Sequence, residues 1–492
     1  METKELPEKG KNSLFDLAGS TTGLKMTRGR TISLLLAIAV FVICSLLPLD
    51  SIHPLAGKGL GLVFAVIILW VSAQFNLVYG AFILAFGSVF LGFQSLNEML
   101  TTFGTSNFIS LLGMLILAMG ATETNFARRV AFFFLSKWGK KPVWIVVAIA
   151  TATTIISAFC SNLATIILMS SIAVGILDGL GAEKLVNKFA KGLMICIPVF
   201  ASLGGMALVS GSPAMNMVGL TALETASEGA HTITYAQWAV VGVISAIILL
   251  VPIIFIFLKL FKINNKSSAE VDTDEFNRKL ADLGPMSGSE IRWVVTTLAF
   301  VIIMLTGKMN LKVNALLFAI ITISPVIGTV KAETALKSLP LNVLFLNGFA
   351  GIISVIFATT NITGVLQNGV SGLVGELPVF WLMLVCCLIL TFLNNIFPNA
   401  TAGIIALCIS AMTPIVMGLG YNPSVVLMPA IFIGSYNIVL GMQDVNTLNY
   451  GYGYWKMNDT ILPNTIVIVT VAVVVSIVSY FVCPMLGMSY LL

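Results

Sequence analysis

Thirteen apolar runs constrain this chain more than any other feature, beginning near residues 31, 59, 77, 107, 143, 188, 236, 291, 312, 342, 379, 424 and 463. A helix rises about 1.5 Å per residue, so about 20 residues cross the hydrocarbon of a bilayer. Soluble domains carry about a quarter charged residues, whereas these 492 residues are 58% hydrophobic and 10% charged. The expected fold class is therefore an all-α polytopic membrane protein. The first run, 31–49, ends at Pro48-Leu49-Asp50, which is no small-residue cleavage site, and it reads as a retained span.

Two runs, 143–176 and 379–418, are too long for one crossing and carry polar residues at their centres. Each fits two half-length helices that meet at a polar tip, a re-entrant hairpin. Counting both as entering and leaving on one side leaves eleven transmembrane spans. With a cytoplasmic N-terminus, the inner segments hold every one of the 26 Lys and Arg residues except Lys58, Lys308 and Lys312, as the positive-inside rule requires. The expected organisation is an N-terminal segment 1–30, a first half 31–258 with an inner hairpin at 143–176, a cytoplasmic linker 259–290, and a second half 291–492 with an outer hairpin at 379–418. The polar stretch Asn264–Glu290 inside that linker reads as a solvated connection, with a docking site as the alternative. Compact loops point to a bacterial inner membrane.

The halves repeat. "NFISLLGMLILAMGATETN" at 107–125 compares with "NVLFLNGFAGIISVIFATTN" at 342–361, each opening on Asn and closing on Thr-Asn. The two hairpins follow in the same order. An odd number of spans between copies inverts one against the other, and inverted repeats with interrupted helices mark secondary transporters. Four interruptions carry the chemistry: the tips Ser161–Thr165 and Pro398–Thr401, and the breaks "SGSPAMN" (210–216) and "GMQDVN" (441–446). Pro and Gly release backbone groups from the helical ladder. At membrane depth such groups persist where protein or a watery cavity satisfies them. Freed carbonyls with Ser, Thr and Asn oxygens suit a hard cation, and freed N–H groups at half-helix starts suit an anion.

Enzymatic function is not expected: no Walker loop, metal-ligand cluster or nucleophile–base pair is present, and the loops are too small for a catalytic domain. The seven cysteines fall mostly in spans, so Cys386-Cys387 read as packing residues, and His53 and His231 fall in loops. Nothing suggests nucleic acid as a partner, and no cofactor is expected.

The segments "SNLAT", "GGMALVSGSPAMN" and "YGYGYWKMND" resemble the divalent anion:sodium symporter (DASS) family of carboxylate and sulfate transporters, over about residues 95 to 460. That family has a Ser-Asn-Thr motif at each of two opposed hairpin tips and a Gly-Thr/Ser-Pro-Pro-Asn-like break in each following span. The resemblance implies that Asn162 faces substrate while Ser161 helps hold a first Na⁺, with Gly211, Ser212, Pro213 and Asn216 lining the same site. It places Asn399, Ala400 and Thr401 at the outer tip, opposite Gln443, Asp444 and Asn446. It also implies a homodimer and an elevator-type movement of the hairpin domain.

This chain departs from the family pattern at Leu163, Pro398, Ala400 and Asp444-Val445. A carboxylate at membrane depth is costly and by default functional. Asp444 reads as a Na⁺ ligand, a protonatable coupling group, or a contact for an ammonium or hydroxyl of the substrate, with a structural cap of its own break as the alternative. Glu123 is expected in an inner salt bridge with Arg128-Arg129, and Asn394-Asn395 either widen the second site or bond between helices. The leading expectation is a Na⁺-coupled secondary transporter of a small anion such as a di- or tricarboxylate. The alternatives are an anion exchanger, a proton-coupled carrier using Asp444, a Na⁺/H⁺ antiporter-like protein, or a channel.

Overall fold

The computed structural model describes residues 26–492 apart from 266–270, 306–315, 317–323, 325, 332, 334–338, 375–376, 398–399, 437 and 442, and at 106, 370–374 and 444 the backbone alone. Most of the span expected at 312–328 therefore lies outside the described residues, as do Lys308, Lys312, Pro398 and Asn399.

The first half opens with α1 (Arg28–Ser45), α2 (Ala56–Val71) and α3 (Leu77–Phe90). The turn before α3 falls at Gln74–Asn76, where Asn76 caps the helix by accepting the Val78 N–H. A short α4 (Leu96–Thr101) leads into α5 (Ser106–Glu123), and the pair bends by 46°. Then come α6 (Phe126–Trp138), α7 (Pro142–Phe159), α8 (Asn162–Gly179), α9 (Lys188–Ala207), α10 (Pro213–Ala226) and α11 (Tyr235–Leu260). Pro142 and Pro213 occupy first-turn positions, where a missing N–H costs nothing. After the linker helix α12 (Thr273–Asp282), the second half holds α13 (Gly288–Leu305), α14 (Leu341–Gly348), α15 (Ile352–Thr359), α16 (Ile362–Val374), α17 (Val379–Ile396) and α18 (Thr401–Gly418). It closes with α19 (Pro423–Val426), α20 (Met428–Gly434), α21 (Asp444–Tyr450) and α22 (Ile461–Met485). Ten described helical stretches are long and apolar enough to cross a membrane, or eleven with the bent pair α4–α5.

The repeat survives element by element. An 18-residue α5, the connector Thr124-Asn125, a 13-residue α6 and the 18-residue α7 and α8 form the first series. The second series is α14–α15, the connector Thr360-Asn361, a 13-residue α16 and the 18-residue α17 and α18. Each of α7, α8, α17 and α18 is thus about 27 Å long, longer than the half-length arms expected from sequence.

The core centres on α9, which is almost entirely buried among α7, α8 and α11. Around it, the halves interlock: α10 packs on α18, and α21 packs on α8 and α9. In contrast α1 packs chiefly on α2 and turns Leu35 and Ile38 outward, as a lipid-facing helix does.

The linker corrects the expectation of a solvated connection. Its α12 packs on α6, with Phe276 buried at the contact. Arg129 of α6 reaches the carbonyls of Leu283, Gly284 and Pro285 and pairs with Glu290 at 3.3 Å. One apolar face on an otherwise polar segment suffices to dock it. The same contacts correct the expected Glu123 salt bridge: Arg129 is taken by Glu290, and Glu123 instead accepts the backbone N–H of Lys331.

Candidate transport site

At the first tip two residues in extended conformation, Cys160 and Ser161, join α7 to α8. Ser161 caps α8 by accepting the Ala164 N–H at 3.3 Å. Asn162 follows and turns inward, 8% exposed. Its inward amide atom lies 3.1 Å from Ala201 O, 3.3 Å from Gly211 O and 2.7 Å from Ser157 Oγ. Two of those three neighbours are carbonyls, so that atom is the nitrogen. Asn162 thereby ties the tip to α9 and to the break after it. Leu163, at the position where the resemblance expects Thr, points to the open side at 48% exposure.

Close approach demands glycine at two positions here. A Cβ on Gly205 would lie 2.4 Å from the Asn162 amide, and one on Gly211 would lie 2.7 Å from Ser157 O. Gly205→Ala should therefore cost about 1–3 kcal/mol of stability and displace Asn162. The expected outcome is a lowered Tm in detergent together with reduced uptake, and an unchanged Tm would refute the contact.

The break at 208–212 frees carbonyls at the end of α9. Asn216 gathers them: its amide nitrogen donates to Gly205 O at 2.9 Å, Val209 O at 3.3 Å and Leu208 O at 3.4 Å. Ser210 donates to Ala158 O and meets Tyr235 Oη, which fastens the break to the end of α7. Ser212, half-buried, stands at the start of α10 with no hydrogen bond from its side chain capping that helix.

The second break is built alike. Asn446 donates to Ile438 O at 2.7 Å and Leu440 O at 2.9 Å, and Asn464 also reaches Ile438 O. Thr460 donates to Val439 O. Asn395 Oδ1 accepts the Val439 N–H and the Gln443 amide, so Asn395 holds the break open from α17. Of the second tip, Ala400 and Thr401 are buried at the start of α18. Asp444 is the first residue of α21, and its side chain lies outside the description.

Both breaks leave buried oxygens without hydrogen-bond partners among the described residues. In the first half these include Thr165 Oγ1, Ser202 Oγ and Asn216 Oδ1, and in the second Asn394 Oδ1, Tyr436 Oη, Gln443 Oε1 and Asn464 Oδ1. Buried polar atoms are nearly always satisfied, by protein, water or a bound ion.

Three features escape the sequence reading. The first is a buried chain in which Trp455 Nε1 donates to Asn449 Oδ1 at 2.8 Å and Asn449 Nδ2 donates to Ser170 Oγ at 2.6 Å. With Tyr454 donating to Asp178 and Tyr452 meeting Ser171, it fastens the "YGYGYW" stretch to α8. The second is Glu224 near the end of α10, which accepts from Asn107 of α5 and lines a cavity of 330 Å³. The third is a cavity of 430 Å³ beside the first tip, bounded by Cys160, Ala164 and Thr165. Tyr452, Tyr454 and Trp455 are the only hint in the residues themselves, a cluster of aromatics with polar tips that need partners when buried.

Comparison with known proteins fits this architecture. The YdaH transporter of Alcanivorax borkumensis, known from its crystal structure, superposes with a TM-score of 0.50 at 13% identity, over 79% of this chain and 88% of that one. That likeness concerns the fold. A sodium-dependent dicarboxylate transporter, SdcS, of Staphylococcus saprophyticus is 23% identical over 425 residues, 80% of each chain. An uncharacterized transporter of Haemophilus influenzae is 25% identical over 303 residues, 61% of this chain, and the match spans 60% of that relative. The resemblance read from the tips and breaks is borne out, and the family is resolved further. The model of the citrate transporter family CitMHS matches residues 67–434, and the chain, a membrane transporter rather than an enzyme, belongs to that family.

Proposed function

We propose that this protein carries di- or tricarboxylates across the membrane, coupled to Na⁺, by moving its two tips and two breaks together past the remaining helices. The carrying observation is the matched construction of the two breaks, each clamped by an asparagine, in halves that each hold buried oxygens without partners among the described residues. Unwound carbonyls and side-chain oxygens of this kind hold Na⁺ in carriers with inverted repeats, while half-helix N-termini face the anion. The named activity of the staphylococcal relative supports Na⁺ and dicarboxylates, and the family description supports citrate.

In this reading Ser161, Asn162 and Gly211 frame the first cation, and Asn399, Gln443 and Asp444 the second. Ser212, Pro213, Ala400, Thr401 and Asn446 complete the anion site, with Asn216 and Asn446 as clamps of the breaks and Asn162 tying the first tip to its break. The pairs α7–α8 and α17–α18 are re-entrant hairpins of opposite orientation, the N-terminus is cytoplasmic, and the working unit is a dimer.

Uptake of labelled citrate and succinate into proteoliposomes, under an imposed Na⁺ gradient and then an imposed proton gradient, tests the reading. Accumulation driven by Na⁺ is expected. Accumulation driven by protons alone favours a second reading, in which Asp444, placed at the start of α21 beside Gln443, is the coupling group. Asp444→Asn should then remove the pH dependence of uptake, whereas under Na⁺ coupling it should raise the Na⁺ concentration needed for half-maximal rate by about tenfold, the loss of one charge-assisted contact. Unchanged coupling in that variant would leave Asp444 as a cap of its own break.

A further inference from the structure

We infer that the hydrogen bond between Asn107 and Glu224 is a latch across the boundary along which the carrier moves, closed in the state described here and opened once in each transport cycle. The inference rests on the movement proposed above.

The two residues stand on opposite sides of that boundary. Glu224 lies near the end of α10, which starts at the first break and packs most extensively on α18, so it travels with the tips and breaks. Asn107 lies in the first turn of α5, which carries neither a tip nor a break. That helix is tied to α13, where the Trp293 indole donates to Leu117 O at 2.9 Å. Between the two sides, the Asn107 amide donates to the Glu224 side chain at 2.5 Å. A carboxylate accepts a stronger bond than an amide oxygen would. The helices α14, α15, α18 and α20, which also pack on α10, carry no charged residue, so no charge on them competes with Asn107.

Beside the bond the seam between the two helices is open. A cavity of 330 Å³ there is lined by Ser110 and Met114 of α5, by Met217 and Leu220 of α10, by Met304, and by the latch pair itself. A close-packed seam would fix the two helices along their length. Here a void takes the place of that packing, and a bond at one end supplies the attachment. Three of the lining side chains are methionines, which adapt to changed neighbours. Asn342, which opens the matching stretch of the second half, is exposed, and its side chain bonds no described residue. The contact is therefore one-sided in this state, as alternation between inverted copies requires.

Distances between two spin labels, measured in lipid nanodiscs, test the latch without any transported substrate. The labels go on Asn97→Cys, in α4, and Ala230→Cys, in the turn after α10, both exposed positions. Cys44→Ser removes the one native cysteine that is not buried. Glu224→Leu and Asn107→Leu should each shift the ratio of latched to unlatched distances by about tenfold or more toward the unlatched, the effect of one bond to a charged group. Exchanging the groups, as Asn107→Asp with Glu224→Gln, lets the amide at 224 donate to the carboxylate at 107 and should restore the ratio. Two distances whose ratio ignores the single changes overturn the latch and leave the movement standing. A ratio that the single changes shift but the exchange does not restore also overturns it, since that marks packing alone. One distance in every sample overturns the movement, and the latch with it.

Discussion

Asn162→Ala should abolish uptake, to below about 1% of the unsubstituted rate, in protein that still reaches the membrane. The amide nitrogen of Asn162 joins three groups at once: Ala201 O, Gly211 O and Ser157 Oγ. Its removal strands two buried carbonyls at about 1–3 kcal/mol each, and the tip loses its register with the break. The more telling variant is Asn162→Asp. It keeps the size of the side chain but aims carboxylate oxygens at carbonyls, so it should be less stable in thermal denaturation than Asn162→Ala. An Asn162→Asp variant more stable than Asn162→Ala would mean that the amide nitrogen does not face inward.

The second large effect is expected at Asn449 of α21. This side chain accepts from the Trp455 indole and donates to Ser170, and all three residues are buried. Asn449→Leu leaves an indole N–H and a hydroxyl in an apolar surround, at a combined cost of about 2–6 kcal/mol. Thermal denaturation in detergent should show a drop of several degrees, and uptake should fall with it. Ser170→Ala should cost less, because it strands one N–H rather than two groups. In a double-mutant cycle the two changes should be strongly non-additive, as for residues in one network. Simple additivity would argue that α8 and α21 are held together by something else.

Much of this architecture was legible in the residues because hydrophobic length is a strong signal in a membrane protein. The repeats, the tips and the breaks were each marked by Asn, Ser, Thr, Gly and Pro inside runs that otherwise have no use for them. What those residues bond to was not legible. Asn162 reads from sequence as a group facing substrate, yet its nitrogen is committed to the break. Asn216 and Asn446 read as lining residues, and each also collects freed carbonyls within its own half. Such bonds depend on how two helix ends are set against each other, which no local pattern encodes. The docking of α12 was missed for a related reason: its polar composition hides a single buried phenylalanine, and its anchor Arg129 lies 161 residues from Glu290. Glu224 was passed over because it stands near a helix end, where a carboxylate needs no explanation until Asn107 is found beside it.

The bond between Asn449 and Ser170 also bears on how the protein is made. Its partners lie 279 residues apart, so α8 is synthesised long before the segment that braces it. Domains form as the chain emerges, and contacts between distant residues come last. During most of translation the first half therefore sits in the bilayer with Ser170 unanswered and α8 uncovered along the face that α21 later occupies. Chains truncated before α21 should insert but stay open to proteolysis along α8, so the segment from Asp444 onward is the step that closes this face.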